Sequence, residues 1–295
     1  MTAKNVTLIL AILACLLPLS GCEKPVKPND LPVSHWLNDP DPCISKTAAA
    51  IVASGRPWPN ETWDEKHQKL IKFDFWIGDQ LYELPGDTPL GFNGFGPHAH
   101  PFKYSSVSGD AESFLGIPKD KWGAGPSNPK IGSAITGNAY CNTKFPPNQW
   151  IEAKWTNVPT RNEAIALSLS RWREAQKENP ERILRVEVNE RSDIEMTEIL
   201  SYTNLPRTSS AGYFPKKRDL VQIINGKRVV KGIGCSSPHD AITPQPSSQL
   251  PALCGTWIYL GPGLYFNFAI PQQMLPIFPD LHDKLLATFE QSRKK

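Results

Sequence analysis

Thr256-Trp257-Ile258-Tyr259-Leu260-Gly261-Pro262-Gly263-Leu264-Tyr265-Phe266-Asn267-Phe268-Ala269 decides the fold class of this 295-residue chain. Two apolar and aromatic runs flank a Gly-Pro-Gly turn, which reads as a β-hairpin. Little polar alternation interrupts either run, so the hairpin belongs at the centre of a sheet. A second hairpin is written in Leu220-Val221-Gln222-Ile223-Ile224-Asn225-Gly226-Lys227-Arg228-Val229-Val230. Asn-Gly between two β-rich runs is the strongest short hairpin signal. A third reads from residues 69–84, where Ile71, Phe73 and Phe75 alternate with Lys72, Asp74 and Trp76 as in a half-buried strand, turning at Gly78-Asp79.

Helices are fewer. Asp41-Pro42 forms an N-cap and N1 pair ahead of Ile44, Ala48, Ile51 and Val52, and Gly55 can close that helix, giving residues 43–54. Thr160 and Glu163 resemble a capping box, followed by Ile165, Leu169 and Trp172 at i, i+4 and i+7; Pro180 ends a helix of 161–178. Asp280 can cap a terminal helix carrying Leu281, Leu285 and Phe289. Strands are expected at 150–156 and 183–188, the latter with Leu184, Val186 and Val188 on one face. That strand–helix–strand unit could be a parallel crossover. Short strands are expected near 102–107 and 131–140, and residues 238–251 read as a mobile loop. The sum is an α+β domain, a mainly antiparallel sheet with about three helices.

Composition agrees. Proline numbers 29, roughly twice ordinary usage, which excludes an all-helical bundle or a long coiled coil. The formal charge of +3 is too mild for a nucleic-acid binder, so no nucleic acid is expected as partner.

The N-terminus reads as an address. Lys4 precedes an apolar run from Val6 to Leu17, too short to span a bilayer. Leu19-Ser20-Gly21-Cys22 resembles a bacterial lipobox. The resemblance implies cleavage before Cys22, lipidation of Cys22 and anchoring to the membrane by acyl chains. Glu23 in the following position favours the outer membrane by the same resemblance. The expected organisation is a signal peptide at 1–21, a lipidated Pro-rich tether at 22–34 and a single α+β domain at 35–295, on the periplasmic side of the envelope.

Four cysteines remain in the mature chain: Cys43, Cys141, Cys235 and Cys254. An even number in an exported protein suggests two disulfides, and sequence leaves three pairings open. Cys235–Cys254 is favoured because it closes a short Pro/Ser-rich loop. Cys43–Cys141 would then tie the first helix to the middle of the domain.

Catalytic patterns are sparse. There is no G-x-S-x-G. Ser127 to Lys130 matches S-x-x-K, but so does Ser292 to Lys295 at the end of the chain. His98 and His100 could supply two metal ligands from one strand face, yet Pro97 and Pro101 suggest an exposed loop. No metal or cofactor is assigned. Lys216, Lys217 and Arg218 form a basic patch that could touch an acidic partner or simply be a solvated turn. Glu187, Glu190, Asp193 and Glu195 read as a solvated strand end with Arg185 and Arg191. Of nine tryptophans, Trp58 and Trp122 are the candidates for an exposed binding surface.

In layout, an anchor, a tether and a rigid α+β body, the chain is similar to periplasmic immunity lipoproteins that protect bacteria from type VI secretion effectors. The resemblance rests on the lipobox and this architecture and carries over no site residue. It implies a non-catalytic envelope protein that binds a protein partner, such as a secreted toxin, and occludes it. The alternatives are a structural or assembly component of the outer membrane and periplasm, or an envelope enzyme using His98, His100, His239 and Asp240.

Overall fold

Both halves of the opening hairpin lie at the middle of a nine-stranded sheet. The computed structural model describes residues 31–56, 60–64, 66, 69–93, 104–118, 122, 134–141, 158–203, 209–237 and 253–294. In chain order these hold α1 (Pro42–Ser54), β1 (Asn60–Asp64), β2 (Lys69–Ile77), β3 (Gln80–Pro85), β4 (Leu90–Asn93) and β5 (Tyr104–Asp110). Next come α2 (Ala111–Leu115), β6 (Ala134–Cys141), α3 (Arg161–Glu178), β7 (Ile183–Arg191), β8 (Met196–Thr203) and β9 (Ser209–Pro215). The chain closes with β10 (Leu220–Ile224), β11 (Lys227–Lys231), β12 (Ile233–Ser237), β13 (Leu253–Gly261), β14 (Leu264–Pro271) and α4 (Phe278–Ser292).

The large sheet runs β4-β5-β6-β14-β13-β12-β9-β8-β7; β1-β2-β3 and β10-β11 form two smaller sheets. Every strand pair among the described residues is antiparallel. Strand β7 pairs antiparallel with β8, and the first strand of the expected parallel crossover falls on residues outside those described. The expected strand at 150–156 and the loop at 238–251 lie outside the described residues.

Local chemistry accounts for the turns. Pro262 presets one turn position, and Gly263 supplies φ 73° at the next. Asn225 and Gly226 take φ 51° and 76°, the double positive φ that a type I′ hairpin requires. The Asp41 side chain accepts from the Cys43 amide at 3.0 Å, and Gly55 closes α1 at φ 65°. Thr160 and Glu163 form the capping box of α3 in both directions. The fourth helix, α2, was not expected. Five residues leave too little periodicity to read, although Asp110 caps it through the Ser113 amide at 2.8 Å. Asp280 does not cap the terminal helix. A 3-10 segment, Gln272–Ile277, runs straight into α4, which has no side-chain cap; Asp280 sits in its first turn and pairs with Arg218.

One face of the large sheet makes the main core. Phe266 meets Phe289 of α4 at 4.7 Å and Phe268 meets Phe278 at 5.0 Å. Phe75 and Tyr82 stack beside them from β2 and β3. β2 is not half-buried as its alternation suggests. Helix α1 covers its second face, burying Trp76 under Ile44, Ala48 and Ile51, and Asp74 is buried against Arg56 at 2.9 Å. Both disulfides join the favoured partners. Cys43–Cys141 links α1 to β6, and Cys235–Cys254 joins directly opposed residues of β12 and β13. Among the described residues no helix is long and apolar enough to cross a membrane.

Candidate functional site

Helix α3 covers only part of the sheet's second face. Its apolar side packs with Ile199, Phe214 and Val230, toward the β7 end. Beside it opens a groove of about 480 Å³. Ser168 and Trp172, one helical turn apart on α3, form one wall; Trp257 and Asn267 line the other. Antiparallel register aligns Gly212 of β9, Gly234 of β12 and Gly255 of β13 in a row across the floor. A Cβ added at Gly212 or Gly234 would meet nothing closer than 3.7 Å, so packing does not demand glycine at either position. Gly255 differs: its Cβ would lie 2.4 Å from the Phe268 carbonyl oxygen. The result is a flat floor between two indoles.

Trp257 also begins an aromatic cluster on the same face. Tyr265 sits 6.5 Å from Trp257, 5.8 Å from Tyr259 and 5.6 Å from Tyr140. Beneath this cluster the β10-β11 hairpin is latched to β13. Gln222 accepts from the Tyr259 amide at 2.9 Å and donates to the Tyr259 carbonyl. Lys231, only 2% exposed, donates to Gln222 Oε1 at 2.8 Å and to the Trp257 carbonyl at 2.6 Å. Its ammonium also lies 4.4 Å from the Trp257 ring centre. Trp257 is therefore held in place before any ligand arrives, which lowers the ordering cost of binding.

Burial depresses Lys231 from the ordinary lysine value of 10.5 to about 7. The unfolded chain then binds a proton that the folded chain lacks between those values. Folding stability accordingly rises as pH climbs from about 7 toward 10.5, and is lowest below pH 7, where both states carry the charge. His282, also buried, is lowered chiefly by desolvation, so its charging on acidification adds to the loss. We expect urea denaturation between pH 6 and 9 to show the parent gaining stability, on the order of a few kcal/mol, relative to Lys231→Met. Parallel curves for the two proteins would contradict this.

A larger cleft, about 710 Å³, is lined by Lys72, Glu83, Lys284 and Lys294 among others. Its charges largely satisfy one another. Lys72 and Lys294 each lie 2.8 Å from Glu83 and hold that carboxyl down at about 2, and Lys284 sits over Phe114. This is an ionic seam that fastens the chain's end to β3, so the glycine-floored groove is the better site.

Those residues singled out in the sequence that the structure describes lie elsewhere. Trp122 is 9% exposed and donates to the Ile117 carbonyl at 2.9 Å, so it serves the core rather than a surface. Lys216, Lys217 and Arg218 form a bend between β9 and β10. Each has a carboxylate partner: Glu190 at 2.7 Å, Glu195 at 2.6 Å and Asp280 at 2.6 Å respectively. The acidic strand end is tied up in the same pairs together with Arg191–Asp193. Cys22, Trp58, His98, His100, His239 and Asp240 lie outside the described residues. Among the described residues no group of three or more His, Cys, Asp or Glu is placed to hold a metal ion. Sequence reading passed over Gly212, Gly234 and Gly255. Each is an isolated glycine within a strand, which signals close approach to a backbone or ligand.

No family model matches the chain, and no curated protein does. Among solved structures, an immunity protein of the Stenotrophomonas maltophilia type IV secretion system is loosely similar. It has 10% identity and a TM-score of 0.41, with 80% of this chain and 99% of that one covered.

Proposed function

We propose that this chain is a non-catalytic envelope lipoprotein that binds a protein partner, acting as an immunity protein against a secreted effector. The observation that carries the reading is the pre-formed groove, with its glycine floor, its two indole walls and the latch that fixes Trp257. Tyr, Trp, Gly, Ser and Asn are the residues that make rigid, adaptable protein-binding surfaces elsewhere. A pocket of this shape suits a single aromatic anchor from the partner, surrounded by a rim that excludes water. Occlusion follows if the partner's anchor flanks its own catalytic cleft. The rigid sheet then lies across that cleft as a lid, and no chemistry is required of this chain.

In this reading Cys22 carries the lipid anchor and the 22–34 tether holds the domain on the periplasmic side of the outer membrane, where an incoming effector first acts. Co-expression tests it. Sent to the periplasm, the chain protects cells from the toxic secreted enzyme encoded by a neighbouring gene. Lack of both protection and binding would sink the reading.

A further inference from the structure

The wall formed by Trp257 and Asn267 is not where this face of the sheet ends. Antiparallel register carries the face from β13 across β14 to β6, since residues directly opposite one another share a side. One row sets Trp257 beside Asn267 and Asn138. A second sets Gly255 beside Ala269 and Thr136, and a third sets Tyr259 beside Tyr265 and Tyr140. Every residue of this grid is uncharged. Asn267 and Thr136 are exposed and Asn138 is half-buried, so its middle reaches solvent. Among the described residues no hydrogen bond engages the Asn138 or Asn267 side chain. The Lys231 ammonium beside Trp257 already has two acceptors.

We propose, resting on the effector reading above, that the effector's footprint continues from the groove over this grid as far as β6, and that the effector segment lying there is uncharged and hydrogen-bonds the two asparagines through amide and hydroxyl groups. The grid shares Gly255, Trp257 and Asn267 with the groove, so one docked surface covers both. A carboxylate, ammonium or guanidinium set down on the grid would lose its water and find no opposite charge, which is the costly arrangement in a buried interface. An amide or hydroxyl loses its water too, but each asparagine offers both donors and an acceptor in return. The half-buried rings of Tyr140 and Tyr259 add apolar area alongside. Two strand spacings separate β6 from β13, about 10 Å, which is roughly the width of one helix. Charged groups elsewhere, such as Lys216 with Glu190 and Lys72 with Glu83, pair within the chain and offer an incoming protein little to steer by. Binding should therefore respond little to salt, and a related effector with a charge at this place is rejected.

Affinity measurements between the full-length chain and the secreted enzyme of the neighbouring gene test this. Asn138→Asp adds a charge with hardly a change of shape, at a position outside the groove lining. It should raise Kd about tenfold or more, while the uncharged Asn138→Thr stays within about threefold of the parent. Asn267→Asp, on an exposed side chain, should match Asn138→Asp, and thermal melts of all three show that binding rather than folding is lost. For the parent, Kd should change by less than about threefold between about 0.05 and 0.5 M salt. An Asn138→Asp chain that binds like the parent, or a parent whose Kd climbs further than that with salt, would overturn the uncharged footprint and leave the groove itself standing as the docking site. A parent that binds nothing removes the effector reading and this footprint together.

Discussion

Replacing Cys43 and Cys141 together by alanine lowers stability by about 4.7 kcal/mol in the chain-entropy treatment of a loop of this size. The bond spans 98 residues. Its loss frees the unfolded chain to explore far more conformations, while the folded state also loses a tie that little else replaces. Helix α1 touches the rest of the molecule mainly through β2 and β3: Ile44, Ala48 and Ile51 on Trp76 and Leu81, and Thr47 donating to the Gly78 carbonyl. Across that junction Cys141 lies beside Gly78, close to Leu264. Cutting the bond therefore loosens the contact of α1 and the β2-β3 turn with β6. For a domain of this length the loss corresponds to a fall in Tm of roughly 10–18 °C. Removing Cys235–Cys254, which spans 19 residues, costs about 3.2 kcal/mol by the same treatment. Its larger effect should fall on binding, because Cys235 borders the groove floor. Thermal melts of the two double variants decide this. Equal or reversed losses would contradict the assignment of Cys43–Cys141 as the long-range tie.

Gly234→Tyr is the complementary case: a fold that stands and a site that fails. The new Cβ meets only the Gly255 carbonyl oxygen at 3.9 Å, and tyrosine suits a strand better than glycine does. Stability should stay within about 0.5 kcal/mol of the parent or rise slightly. The ring, however, occupies the space between Trp172 and Trp257 that the partner's anchor needs. Losing a central anchor costs about 2 kcal/mol or more, which is roughly a thirtyfold rise in Kd. Gly255→Ala is the control of opposite sign. It collides with the Phe268 backbone and should cost about 1–3 kcal/mol of stability through overpacking. If Gly234→Tyr binds the partner as tightly as the parent, the groove is not the docking site.

What could be read from the sequence was whatever is written locally. The box of Thr160 and Glu163, the Asn225-Gly226 turn and the Pro262-Gly263 turn each need only neighbours in the chain, and all three elements formed as expected. The groove could not be read that way. Its floor exists only because β9, β12 and β13 align Gly212, Gly234 and Gly255, and no local pattern specifies that β9 lies beside β12, two strands further along the chain than its successor. A clue was present in Gly234-Cys235 and Cys254-Gly255. Once those cysteines pair across antiparallel strands, their glycines must also lie opposite each other. Lys231 hid for a related reason. In Lys227–Lys231 it looks like one more surface cation, and only Gln222 and the Trp257 carbonyl make its burial possible. Trp122 misled in the other direction, since glycines nearby suggested a surface loop while its indole fills the core.

Titration of the effector with this chain measures occlusion itself. The effector's catalytic rate is followed as the full-length chain is added. The expected rate falls in proportion to added chain and is nearly abolished at one equivalent of groove, with Gly234→Tyr leaving it high. An effector that keeps its full rate in the presence of saturating chain would rule out occlusion.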